Sequence, residues 1–87
     1  MTLDAFTAAD LRVMHAQAAA RYDVASYTAS QVTMDCLRLA GDDAAWREAD
    51  GKWHILMAVG DEAKEMMDAI TSELERRADE RSARHDR

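Results

Sequence analysis

Leu11, Ala18, Ala25, Val32 and Leu39 stand seven residues apart, and His15, Tyr22, Ala29 and Cys36 each follow one of them by four. Steps of seven and four draw one continuous stripe along an α-helix and none along a strand, so a single long helix is predicted from Ala8 to Ala40. Thr7 and Asp10 have the spacing of a capping box, with Asp in place of the usual Glu or Gln. Phe6 and Leu11 have the spacing of a hydrophobic staple, which marks the helix start. Branched and aromatic residues between Val24 and Thr28 lower intrinsic helix propensity and make that stretch the place for a kink.

Proline is absent and glycine occurs only at 41, 51 and 60, so these three positions are the candidate breaks. Gly41 follows the first stripe as a helix C-cap does, and Asp42 or Asp43 then supplies the N-cap of a second helix. Trp46, Ala49, Trp53, Leu56, Gly60, Ala63, Met67, Ile70 and Leu74 continue a three-and-four spacing through both remaining glycines without losing phase. One long second helix is therefore the primary expectation. Two alternatives stay open: a break near Asp50-Gly51 with Asp61 capping a third helix, or a β-hairpin turn at Asp50-Gly51 followed by a strand from Lys52 to Val59.

The expected fold is all-α: a long antiparallel helical hairpin over residues 1–75 that assembles into a helical bundle. A charged C-terminal helical tail, residues 76–87, is expected to fray for want of an internal partner. Glu73 with Arg77 and Glu80 with Arg84 are spaced for i,i+4 ion pairs. Beyond Leu74, Arg77, Arg81 and Arg84 occupy the phase that had been apolar, which marks the end of the core.

Eighty-seven residues bury a smaller fraction of their surface than a typical domain does, and the lone Cys36 offers no internal disulfide to compensate. A partner chain is the remaining supplement. The first helix carries a second apolar line, Val13, Ala16, Ala20, Val24, Tyr27 and Met34, roughly opposite the main stripe. The second helix carries Ile55, Val59 and Met66 displaced from its own stripe. A hairpin covers one face of each helix, so Val13, Val24, Tyr27, Met34, Ile55, Val59 and Met66 are the candidate oligomer or partner interface, in a dimer or higher assembly. Alanine forms much of this line and is neutral on a surface, so the inference rests on the larger residues.

Net charge is −6, which disfavours binding to a nucleic-acid backbone or an anionic membrane. Met1-Thr2-Leu3-Asp4 shows no basic region followed by an apolar run, and the longest apolar run, Ile55 to Val59, is too short to span a bilayer. A cytoplasmic location is expected. Asp61, Glu65, Asp68, Glu75 and Asp79 line the second helix opposite its stripe and read as a solvated face.

Side chains that could carry chemistry are few. His15, Arg21 and Tyr22 could line a pocket for a small anionic ligand such as a nucleotide, although no glycine-rich phosphate loop accompanies them. Cys36 lies three heptads from His15, about 31 Å along one helix, too far for a nucleophile and its base. His54 and His85 have no partners at ligand spacing, so no metal, cofactor or catalytic residue is expected. Trp46 and Trp53, one heptad apart near the turn, are candidate binding anchors as well as core residues. The sequence thus favours a non-enzymatic helical oligomer that binds another protein, as a regulator, adaptor or inhibitor does. The alternative is a bundle that holds a small anionic ligand at a subunit interface.

Overall fold

Thr7 begins the first long helix by the reciprocal contacts its spacing announces. Its hydroxyl accepts from the Asp10 amide at 3.1 Å, and the Asp10 carboxylate accepts from the Thr7 amide at 3.3 Å. Two of the amides that a helix start leaves without intrahelical partners are thereby satisfied. In the computed structural model, which describes residues 2–39 and 41–85 without the side chain of His85, α1 runs from Ala8 to Arg38. A single 3-10 turn, Leu3–Ala5, precedes it. The expected last residue of this helix, Ala40, lies outside the described residues, as do Met1, Asp86 and Arg87.

The stretch expected to be weak stays helical. Thr28 and Thr33 donate their hydroxyls to the carbonyls of Val24 and Ala29, four residues back, at 2.8 and 3.0 Å. Hydroxyl groups that would otherwise compete with the helix are absorbed into its own carbonyl ladder.

Gly41 has φ +119°, a region that side chains with a Cβ rarely enter, and its passage lets the Asp42 amide donate to the Leu39 carbonyl at 2.9 Å. Asp42 then caps the second helix, its carboxylate accepting from the Ala45 amide at 3.1 Å. From there α2 runs unbroken from Asp43 to His85. Gly51 and Gly60 are absorbed within it, and no strand occurs among the described residues. The phase of the apolar stripe outweighs the glycines because each costs only about 1 kcal/mol in a helix interior.

The two helices pack as an antiparallel hairpin, stripe against stripe. Leu11, Ala18, Ala25 and Ala29 of α1 are buried against Ala49, Gly60, Ala63 and Ile70 of α2. Among the described residues, only Leu11 and Ile70 are large side chains shut off completely from solvent. Each contributes roughly 1.5–3 kcal/mol by burial, whereas an alanine methyl contributes less than about 1 kcal/mol. The core is therefore narrow and mostly alanine.

The molecule is a rod of 68 × 20 × 15 Å with a radius of gyration of 19.0 Å, where a globular chain of this length has about 12 Å. It exposes 6616 Å², against about 5,100 Å² for a compact protein of 9.7 kDa. Two helices laid side by side can cover each other along one stripe only, and the remaining apolar residues face outward.

Candidate interaction surface

Of the seven residues of the predicted interface, Val24, Val59 and Met66 line grooves on one side of the hairpin. Val24 and Val59, from different helices, line a single shallow groove of about 320 Å³ with Ala20, Ala25, Leu56 and the stem of Arg21. The neighbouring groove brings Val59 and Met66 together with Arg21 and Glu62. Val13, Tyr27 and Met34 stand seven or fourteen residues from Ala20 and so share its flank of α1, while Ile55 lies one helical turn before Val59. Val24, Tyr27 and Ile55 are 66%, 69% and 66% exposed, so they contribute little to the hairpin's own core. Met66 alone among the seven is half-buried.

Leu37, three residues past Met34 on the outer face of α1, is 71% exposed, and Met57 of α2 is exposed as well. Neither belongs to the sequence-derived set. Leu37 falls on the register of Ala16, Asp23 and Ser30, where no run of large apolar residues would draw attention to it.

Charges on the interface side are mixed. Arg21 faces Glu62 across one groove, and toward the turn Asp35, Glu48 and Lys52 line another, with Lys52 and Glu48 3.5 Å apart. The back of α2, by contrast, carries Asp61, Glu65, Asp68, Glu75 and Asp79, all solvent-exposed. That is the solvated line expected from the sequence.

Trp46 and Trp53 lie on the opposite side, near the turn, where they line a groove of about 280 Å³ with Thr33, Cys36 and Asp50. Cys36 thus approaches the start of α2, as an antiparallel hairpin requires. Trp53 is half-buried, and its ring meets that of His54 edge-on, with centroids 5.2 Å apart. Trp46 is 45% exposed and has the room to act as an anchor.

The three residues considered for a ligand pocket do not converge within one chain. His15 opens into a groove with Arg12, Thr71, Leu74, Glu75 and Ala78, whereas Arg21 lines the grooves on the other side of the hairpin. Tyr22 lies against Gly60, its Cδ2 4.0 Å from the place where a Cβ there would stand. Six residues leave His15 and Arg21 about 120° apart around the helix axis, which separates them onto different flanks of α1.

At the far end of the rod the charged segment expected to lack internal partners has them in part. Arg77, seven residues past Ile70 on the buried line, donates through Nη2 to the carbonyls of Phe6 and Leu3 at 2.8 and 3.1 Å. Its Nε donates to Glu73 at 2.9 Å, the i,i+4 pair expected from the sequence. Arg76 reaches Glu73, Glu80 and Asp4. Hydrogen bonds from Arg76 and then Arg77 hold the Glu73 carboxyl down to about 2 from its ordinary 4.5, and the same contact raises the Arg76 guanidinium. Glu80 thus pairs with Arg76, four residues before it. An arginine on an apolar register was the signal in the sequence; its target, 71 residues away, was not readable there.

No helix among the described residues is long and apolar enough to cross a membrane. No group of three or more His, Cys, Asp or Glu side chains among them is placed to hold a metal ion. No protein-family model, curated protein sequence or solved structure matches the chain.

Proposed function

We propose that the hairpin is a non-enzymatic interaction module, a helical oligomer that acts by binding protein through the side chains its own core leaves uncovered. The observation that carries this reading is the surface excess: about 1,400–1,500 Å² more than a compact chain of this mass exposes, where a standard interface takes roughly 800 Å² from each partner. The excess includes large apolar side chains contributed by both helices. A regulator, adaptor or inhibitor works by presenting such a surface. The ligand-binding alternative draws less support, because His15 and Arg21 point to opposite sides of one hairpin.

Light scattering coupled to size exclusion tests the reading. A mass at a multiple of 9.7 kDa at micromolar concentration is expected. A monomer under those conditions would remove its basis.

A further inference from the structure

We infer that the partner seated on the Val24–Val59 side is a second copy of this chain, packed on it about a two-fold axis to make a four-helix bundle, with the tryptophan side left outward. The inference rests on the assembly reading above and adds which side assembles, and with what.

Three observations converge on a second copy. The first is position. Val24 and Val59 lie about 17 residues from the turn at Gly41, roughly 26 Å along a rod of 68 Å. A two-fold axis there overlaps two copies over about 50 Å of length, and across the 20 Å width that is on the order of 1,000 Å² per copy, above the roughly 800 Å² of a standard interface. An axis through Trp46 and Trp53 would sit about 7–18 Å from the turn and overlap far less of the rod.

The second is charge. A chain of net charge −6 repels its own copy over most approaches. The Val24–Val59 side lowers that repulsion, because Arg21 and Lys52 stand among Glu62, Glu48 and Asp35 and offset two of their three charges. An isologous interface sets a patch against itself, so it needs mixed signs. The acidic back of α2 presents five carboxylates, Asp61, Glu65, Asp68, Glu75 and Asp79, in excess over the neighbouring Lys64 and Arg47, and it opposes self-docking.

The third is composition. The groove is lined by small Ala20 and Ala25 beside branched Val24, Leu56 and Val59, with Ala25 buried and Leu56 half-buried at its depth. Small residues between branched ones let the ridges of another helix pair enter at ordinary packing distance.

The test compares single substitutions by light scattering and analytical ultracentrifugation, with circular dichroism confirming that each variant stays helical. Val24→Asp and Tyr27→Asp, at positions 66% and 69% exposed, leave the hairpin core intact. They are expected to weaken dimerisation at least tenfold, whereas Asp68→Asn and Trp46→Ala leave it unchanged. In a Cys36→Ser background, Val24→Cys is expected to give a covalent dimer on mild oxidation. A dimer that survives both aspartate variants but dissociates on Trp46→Ala would overturn the assignment of this side while leaving the assembly reading intact. A wild-type monomer with a vacant Val24–Val59 groove overturns both.

Discussion

Arg77 Nη2 donates to the carbonyl oxygen of Phe6 at 2.8 Å across 71 residues of sequence, and this contact closes the open end of the hairpin. The same nitrogen holds Leu3, so one guanidinium fastens the segment before α1 to the last part of α2 that lies on the buried register. The arginine is 19% exposed, and its planar fork serves a carboxylate on one edge and two carbonyls on another.

Arg77→Ala is expected to lower stability by about 1–2 kcal/mol, the usual scale for hydrogen bonds to a charged group in a partly covered site. Amide hydrogen exchange at residues 3–11 should accelerate by about tenfold or more. Arg77→Lys retains the charge without the fork and should recover only part of the protection. Equal exchange rates in wild type and Arg77→Ala would show that the clamp does not order the N-terminal segment.

Glu73 gives a pH dependence whose sign follows from its lowered pKa. The folded value of about 2 lies below the ordinary 4.5, so the unfolded chain binds the proton more readily. The contribution of Glu73 is complete above about 4.5 and is lost as the pH falls toward about 2. Urea midpoints measured from pH 5 to 2.5 should fall less steeply in Glu73→Gln than in wild type. Parallel curves would assign the acid sensitivity to other carboxylates.

The glycines should respond in opposite directions. A Cβ at Gly51 meets nothing within 4 Å, so Gly51→Ala should raise stability by roughly 0.5–1 kcal/mol, a gain of several degrees in Tm for a chain this size. Gly41 also has space but sits at φ +119°, and Gly41→Ala should lower Tm. Calorimetry of the two variants separates conformation from packing, since neither site is crowded.

Two isoleucines distinguish the core from the proposed interface. Ile70 is fully buried within the hairpin, and Ile70→Ala should cost about 2–4 kcal/mol at every protein concentration. Ile55 is 66% exposed, and the effect of Ile55→Ala should grow as dilution moves the chain across its dimerisation range. Thermal melts over a hundredfold range of concentration read both. A concentration-independent loss at Ile55 would place it in the hairpin fold instead.

A thermal-shift panel of nucleotides and small metabolites addresses the ligand alternative. No compound is expected to raise Tm by more than a degree or so at millimolar concentration, since His15 and Arg21 lie on different sides. A saturable rise, abolished by His15→Ala and Arg21→Ala alike, would instead indicate a pocket completed by a second subunit.

Much of the architecture is written in short-range patterns. The Thr7–Asp10 box, the stripe from Leu11 to Leu39, the Gly41-Asp42 turn and the passage of α2 through Gly51 and Gly60 each involve residues within one or two turns of each other. Their outcomes depend on helical periodicity and capping, which hold whatever the partner is. The exposure of Val13, Val24, Tyr27 and Met34 followed in the same way, because they lie opposite a stripe that had to be buried.

The relation between the two helices required the tertiary structure. Sequence spacing orients a side chain about its own helix axis but leaves the rotation of one helix relative to the other undetermined. The meeting of Val24 with Val59 in one groove came only with that rotation, whereas the separation of His15 from Arg21 follows from their spacing along α1. The reach of Arg77 to Phe6 was hidden for a related reason: the antiparallel return brings Phe6 beside Arg77, a meeting that spacing within one helix does not encode. Local periodicity therefore determined which residues could be buried and which could not, and the packing of stripe on stripe decided which of the uncovered ones share a surface.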